Sequence, residues 1–177
     1  MGSNPYKPNR AAAYAMRARA LFFMREYDKA AAEADQALKL NSQLDDMREW
    51  SFTDDIPSVT VNGMPQPISS AEKIWYHNVN GSGALRMTVV PEDLLALYKQ
   101  NEKDLRLKFW FSTEDKNGFF YDENTYCYLQ QTPNHNIGVP EMMLIKAEAL
   151  ARKNDAKALD ILNELRKYRF QDADYTE

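Results

Sequence analysis

The fold is decided by one stretch of the chain, Val139-Pro140-Glu141-Met142-Met143-Leu144-Ile145-Lys146-Ala147-Glu148-Ala149-Leu150-Ala151-Arg152. Pro140 suits the first turn of a helix, where its missing N–H costs nothing, and Glu141 favours the positive end of the helix dipole. The stretch is apolar on nearly every side, which is typical of a buried helix. Asp155 can cap a second helix after Lys153-Asn154. The apolar residues of this second helix fall on one stripe: Ala158, Leu159, Leu162 and Leu165. Such a short connection predicts an antiparallel helical hairpin.

A second helix pair is predicted near the N-terminus, over residues 10–40. Ala11–Met24 has helical periodicity, and Asp28 can cap a further helix that runs to about Leu40. The two helices carry small residues that let their axes approach closely, namely Ala18, Ala30 and Ala37. These offsets match the tetratricopeptide repeat, although Ala34 replaces its large aromatic residue and Ser42 its closing proline.

The region between the pairs, residues 41–138, mixes strand and turn signals. Short strands are predicted at Ser58–Val61, at Lys73–Asn78, at Leu107–Phe111 with Phe119–Tyr121, and around Tyr126 and Tyr128. Pro91 opens a predicted helix to about Gln100, with Leu94, Leu97 and Tyr98 on one stripe. We therefore predict an all-α fold of tetratricopeptide-like helix pairs with short β-hairpins in the connecting loops. It forms one domain over residues 1–177, with helix pairs at 10–40 and 139–170.

The C-terminal hairpin resembles the signature of the SusD/RagB family, the outer-membrane glycan-binding lipoproteins of Bacteroidetes. The matching residues are Pro140-Glu141-Met142, Leu144-Ile145, Ala147-Glu148-Ala149, Asn154-Asp155, Ala158-Leu159, Leu162-Asn163, Arg166 and Arg169. Leu94–Arg106 also resembles the family pattern. The resemblance implies a glycan ligand, a SusC-like TonB-dependent transporter as partner, and a surface-exposed lipoprotein at the outer membrane.

Composition limits the other classes of function. The chain has 177 residues, a formal net charge of −4 and no basic run, which argues against binding of nucleic acid. Cys127 is the only cysteine, and no apolar run approaches the roughly 20 residues that cross a bilayer. A signal peptide and a lipid-bearing cysteine, which the family carries, are absent from the sequence. We therefore expect a truncated or minimal member whose membrane attachment depends on an anchor outside this chain.

No cofactor, metal or catalytic motif is recognised. His77 and His135 lie far apart without cysteine partners at ligand spacing, and Thr113–Asn124 only partly matches a calcium loop, so we predict no metal site. Nucleophile elbow, P-loop and dinucleotide fingerprints are missing from the sequence. Adjacent acidic pairs such as Asp45-Asp46 and Asp54-Asp55 are typical of solvated turns. A cleft with two suitably separated carboxylates would instead indicate a glycan-cleaving enzyme. We predict that the protein is not an enzyme.

Candidate sugar-binding residues are aromatic, because a flat ring with an exposed face can stack on a sugar. Trp50, beside acidic loops, is the first candidate, and Trp75 and Tyr76 follow in a strand-like stretch. Consecutive strand residues point to opposite faces, so one of these two rings is expected to face outward. For each of the three rings, packing in the core is favoured over sugar binding.

Glu148 is the one acidic residue inside the apolar helix, and a buried carboxylate needs a partner. Folding the hairpin back brings Asn163 and Arg166 within reach. We predict a buried structural contact between Glu148 and one of these two residues.

Two functions of different class follow. The first is non-enzymatic binding of an oligo- or polysaccharide within a SusC/SusD-type uptake system, as the resemblance implies. The alternative is a helical-repeat module that binds a protein or peptide without sugar. Groove-lining charges from Arg17, Arg19 and Arg25 would favour this alternative, whereas exposed loop tryptophans would favour sugar.

Overall fold

The computed structural model describes residues 7–52, 61–65, 69–76, 89–101, 103–112, 127–128 and 136–171. Its helices are α1 Arg10–Phe23, α2 Tyr27–Leu40, α3 Glu92–Lys99, α4 Leu105–Trp110, α5 Val139–Ala151 and α6 Lys157–Lys167. The strands are β1 Ser51–Phe52, β2 Val61–Asn62, β3 Lys73–Trp75, β4 Phe111–Ser112, β5 Cys127–Tyr128 and β6 Ile137–Gly138. They form three antiparallel pairs, β1–β2, β3–β6 and β4–β5. The predicted fold class is confirmed.

The chain divides into two compact units. The first unit comprises residues 1–45, 65–77 and 133–168, and the second comprises 46–64, 78–132 and 169–177. The single domain over residues 1–177 stays a prediction, since one domain can contain two such units.

The first unit is built on both predicted helix pairs. Helix α1 packs on α2, α2 packs on α5, and α5 packs on α6, so the two pairs form one stack. The small residues at these contacts have no exposed surface, as the sequence predicts: Ala18, Ala30, Ala34 and Ala37. The core that they share contains larger residues from α5 and from the β3–β6 pair, including Met142, Val139 and Ile74. Small residues on one pair therefore allow close packing against bulky residues on the other.

The two hairpins turn in the same way. Arg25 and Asn154 occupy equivalent positions and both have positive φ angles, 62° and 56°. The N–H group of the next residue closes each turn: Glu26 donates to the Leu21 carbonyl at 2.9 Å, and Asp155 to that of Leu150 at 3.1 Å. This is the hydrogen-bonding pattern of a helix that ends in a left-handed residue.

The helix starts differ in one respect from the prediction. The Asp155 carboxylate accepts the Lys157 N–H at 3.0 Å, which confirms its capping role. Asp28 does not cap, because α2 begins at Tyr27 and Asp28 lies in its first turn. At that position its negative charge still favours the positive end of the helix.

Helix α5 is not buried on all sides. Most of its apolar residues lie in the core, but Leu144 is 47% exposed. Leu144, Glu148 and Arg152 recur every fourth residue, so they form a stripe along one side of the helix. Apolar composition alone therefore overstated how completely this helix is enclosed.

The second unit has its own apolar clusters, centred on Met47, Trp50 and Phe109 and on Val90, Leu95 and Phe111. The predicted strand at Leu107–Phe111 is wrong over most of its length, because residues up to Trp110 are helical. Asp104 starts this helix, as its carboxylate accepts the Arg106 N–H at 3.0 Å. Phe119–Tyr121 lies outside the described residues.

Helix α3 confirms the predicted helix after Pro91, but its buried face is different. Leu95 is the residue buried in the core, Leu94 and Tyr98 pack against it, and Leu97 is exposed. The helix is only two turns long, so the apolar pattern allowed either face.

The β1–β2 pair contains part of the predicted strand Ser58–Val61, of which residues 58–60 lie outside the described part. Val61 pairs with Phe52. Gly63 follows with φ of 79°, and a Cβ atom there would lie 2.7 Å from the Glu49 carbonyl oxygen. The turn therefore requires glycine. Within the described ranges, no helix is both long and apolar enough to cross a membrane.

Candidate functional site

Trp50 does not have the exposed face that a sugar platform needs. It is only 6% exposed and packs edge-on against Phe109, with 5.8 Å between the ring centroids. The prediction of Trp50 as an accessible aromatic residue is therefore wrong. The short helical turn Met47–Glu49 before it directs the ring into the apolar cluster of the second unit.

Trp75 and Tyr76 lie at the end of β3 in the first unit, and both are partly exposed. Trp75 packs against the edge of the core and pairs with Ile137 across the β3–β6 ladder. The register shifts between Lys73 and Trp75, so strict alternation of the two faces does not hold here. Their role in sugar binding stays a prediction.

Glu148 is not a buried carboxylate. Its side chain is 41% exposed and accepts hydrogen bonds from Arg152, at 3.0 Å to Nε and 2.6 Å to Nη2. The predicted buried contact with Asn163 or Arg166 is wrong, because Glu148 lies on the outer stripe of α5. Asn163 and Arg166 are themselves only partly buried.

A polar cleft of about 230 Å³ lies beside β3 in the first unit. It is lined by residues of α1, of the β3–β6 pair and of the start of α5: Arg19, Glu72, Lys73, Asn136, Gly138, Pro140 and Glu141. The β3–β6 pairing closes one wall, where the Val139 N–H donates to the Glu72 carbonyl at 2.8 Å. A Cβ atom at Gly138 would lie 3.1 Å from that carbonyl oxygen, so glycine allows the two segments to approach.

Arg19 and Glu141 form a two-point ion pair at this cleft. The guanidinium donates to both carboxylate oxygens, at 2.6 Å from Nε and 2.5 Å from Nη2. The hydrogen bond to Glu141 raises the pKa of Arg19. This pair joins α1 to α5, and it leaves Arg19 largely neutralised by its own carboxylate.

Lys73 is the unusual residue of the cleft. It is only 8% exposed, and burial lowers the pKa of its ammonium group to about 8. The negative charges of Glu72 and Asp45 act in the opposite direction and raise that pKa. Among the described residues, no side chain or carbonyl accepts a hydrogen bond from Nζ. An ammonium group on a largely buried side chain gains from acceptors that water or a ligand supplies.

The two carboxylates near Lys73 are held by other donors. Asp45 accepts the Ser70 hydroxyl at 2.5 Å and the Ala71 N–H at 2.9 Å. Glu72 accepts the Asp45 N–H at 3.0 Å. These contacts fix both carboxylates, so the charge pattern around Lys73 is preformed.

Sequence reasoning missed this cleft. Glu72 directly precedes β3 and Lys73 is its first residue, so alternation along a continued strand would send one of the two side chains to solvent. Both are buried, because the β3–β6 pairing joins segments that are distant in sequence. The two residues of the ion pair, Arg19 and Glu141, each lie on a helix that the sequence predicts.

Two of the three arginines expected to line a peptide-binding groove form ion pairs. Arg17 pairs with Glu33 at 2.9 Å, and Arg19 pairs with Glu141. A more apolar groove of about 370 Å³ does occur between α2, α5 and α6. Its walls include Leu38, Leu44, Met143, Ile161 and Tyr168, with Lys146, Asp160 and Glu164 at the polar positions.

Several predicted features fall outside the described residues. His77, His135 and the calcium-like run Thr113–Asn124 belong to this part of the chain.

Comparison with solved structures identifies the fold. A candidate sugar-binding protein from Bacteroides vulgatus ATCC 8482 matches with a TM-score of 0.66 and 23% identity, over 94% of this chain and 40% of the other. A SusD superfamily protein from Bacteroides thetaiotaomicron VPI-5482 matches with a TM-score of 0.68 and 23% identity, over 96% and 43%. No family model matches the sequence, and no curated protein matches it.

The chain therefore has the fold of part of a SusD superfamily protein, and it spans about two fifths of the length of these two structures. The resemblance predicted from the C-terminal hairpin is confirmed at the level of the fold.

Proposed function

We propose that the protein is a SusD-like member that binds a glycan without catalysing a reaction on it. The observation that carries this proposal is the fold shared, over 94% of the chain, with a candidate sugar-binding protein of Bacteroides vulgatus. The polar cleft in the first unit supplies both donors and acceptors, as recognition of hydroxyl groups requires.

The proposed mechanism combines ring stacking with hydrogen bonding. Trp75 and Tyr76 lie two and three residues after Lys73 and are both partly exposed, so aromatic surface continues from the strand that lines the cleft. An aromatic face packs against the apolar face of a sugar ring, while polar side chains at the cleft fix the hydroxyl groups. Binding without catalysis is consistent with Glu141, which is occupied by Arg19.

The cellular setting is proposed from the same fold. A SusD-like protein would act at the outer membrane as a surface-exposed lipoprotein and would pass its glycan to a SusC-like TonB-dependent transporter.

Titration of oligosaccharides against the protein, followed by isothermal calorimetry, tests the proposal. We expect at least one neutral oligosaccharide to bind, and Tyr76→Ala to weaken its affinity severalfold because a stacking surface is lost. Phe23→Ala is the matched control, since Phe23 is also aromatic and is 78% exposed at the end of α1. Equal losses in both variants, or no binding of any sugar, would contradict glycan binding through this strand.

The second candidate function is binding of a protein or peptide, which the apolar groove between α2, α5 and α6 favours. An Ile161→Glu substitution would block such a groove without touching the polar cleft. If oligosaccharides fail to bind and a partner protein is retained by the wild type but lost in this variant, the interaction module is the correct function.

A further inference from the structure

The ammonium group of Lys73 determines what kind of ligand the polar cleft can accept. It has three N–H donors, and no described residue accepts from them. The lysine backbone is fixed at the same time: its N–H donates to the Ser70 carbonyl at 3.2 Å, and its carbonyl accepts from the Asn41 amide at 3.4 Å. The backbone that carries the side chain is therefore held in place, which favours binding because the backbone needs no further ordering when a ligand binds.

The charges around Lys73 come from several segments of the first unit. Glu72 directly precedes it, Asp45 lies in the loop after α2, and Arg19 and Glu141 line the cleft from α1 and α5. Together with Lys73 these are two cations and three carboxylates. The Arg19 guanidinium is bound through Nε and Nη2 to both carboxylate oxygens of Glu141.

We infer that Lys73 anchors a subsite for one neutral, hydroxyl-bearing sugar ring and that the same subsite rejects uronic-acid rings. Hydroxyl oxygens of the sugar accept from Nζ, and hydroxyl hydrogens donate to the carboxylate oxygens that line the cleft. This inference rests on the proposed function, because it assigns that function a place and a class of glycan.

The exclusion of acidic sugars follows from the local charge balance. A carboxylate brought to Lys73 would also approach Glu72 and Asp45, whereas the positive charge of Arg19 is already offset by Glu141. Like charges brought together in a partly desolvated site repel strongly. A neutral ring avoids this repulsion and still satisfies the lysine donors.

Binding should also depend on pH. Burial holds the pKa of Lys73 at about 8 in the free protein. Sugar oxygens that accept from the ammonium favour its charged form, so binding raises that pKa. Affinity should therefore be constant below about pH 7 and should fall as the pH rises above 8, because the free protein loses the proton that the complex retains.

The experiment compares an α-1,4-linked galactose oligosaccharide with the α-1,4-linked oligogalacturonide of equal length, since the two then differ only at C6. If calorimetry shows that another neutral oligosaccharide binds, that oligosaccharide is compared with the one built from the corresponding uronic acid. We expect the neutral member to bind at least tenfold more tightly. Lys73→Met should weaken its binding about tenfold or more and abolish the pH dependence, since hydrogen bonds to a charged group are lost.

The matched control is Lys157→Met, at an exposed lysine at the start of α6. It removes the same charge from the same unit and should leave the affinity unchanged. Circular dichroism checks that both variants are folded; Lys73→Met is expected to fold because it replaces a buried cation with an apolar side chain of similar length.

The outcomes separate the two proposals. If the wild type binds a neutral sugar and Lys73→Met binds it equally well, the inference is overturned and the proposed function stands. Tighter binding of the uronic acid also overturns the inference alone. If no oligosaccharide binds to the wild type, the proposed function and the inference fail together.

Discussion

Replacing Met142 by alanine tests whether α5 is the helix that holds the first unit together. Met142 has no exposed surface and belongs to the core that α1, α2 and α5 share. Truncation to alanine removes every side-chain atom beyond Cβ and leaves a cavity between closely packed helices. Substitutions of this kind at buried sites cost about 2–5 kcal/mol, and complete burial places Met142 at about 3 kcal/mol or more.

Leu144→Ala provides the matched control on the same helix, two residues away. Leu144 is 47% exposed, so its truncation removes little buried surface and should cost less than about 1 kcal/mol. Alanine is a good helix former at both positions, so helix propensity contributes little to the difference.

Urea denaturation followed by circular dichroism gives the free energy of unfolding for each variant, provided the slope with urea is unchanged. We expect a difference of at least 2 kcal/mol between the two substitutions. Equal effects would refute the assignment of an inner and an outer side to α5. So would a smaller effect for Met142→Ala than for Leu144→Ala.

Four further predictions concern three single sites and one ion pair. Arg25→Gly should stabilise the protein by about 0.5–1 kcal/mol in thermal unfolding, because glycine relieves the positive φ at the end of α1. Gly63→Ala should destabilise it by more than about 1 kcal/mol in urea, since the new Cβ would meet the Glu49 carbonyl. Between about pH 8 and 10.5, the free energy of unfolding of the wild type should rise relative to that of Lys73→Met, by roughly 3 kcal/mol in total. The reason is that Lys73 keeps its proton in the unfolded state over this pH range but loses it in the folded state. Urea titrations that give parallel pH dependences for the two proteins would contradict this. A double-mutant cycle of Arg19→Met and Glu141→Gln should give a coupling of about 0.5–1 kcal/mol that decreases in 1 M salt, since both side chains are partly exposed.

The helix pairs could be predicted from the sequence because their signals are local. Helical periodicity, Pro140 near the start of α5 and the Asp155 cap all act within a few residues of one another. The small residues Ala18, Ala30 and Ala37 also carry a local pattern, which gave the close packing of α1 and α2. These features were sufficient for the fold class, whereas the resemblance to SusD-like proteins came from the residues of the C-terminal hairpin signature.

The candidate site could not be predicted, because it depends on contacts between distant segments. Strand β3 meets β6 more than 60 residues later, and this pairing buries Glu72 and Lys73 beside one another. The burial of Trp50 depends likewise on Phe109, a residue in another part of the chain. The predicted burial of Glu148 was wrong for a different reason. The composition of α5 showed that the helix is apolar, but it did not show which side of the helix faces solvent.

Chemical-shift mapping tests the central claim most directly, since it reports both whether a sugar binds and where. The ¹⁵N-labelled protein is titrated with the neutral oligosaccharide that binds best in calorimetry. We predict the largest amide shifts at Lys73, Tyr76 and Asn136, around the polar cleft. Shifts confined to the groove around Ile161 and Tyr168, or no shifts at any sugar concentration, would contradict glycan binding at this cleft.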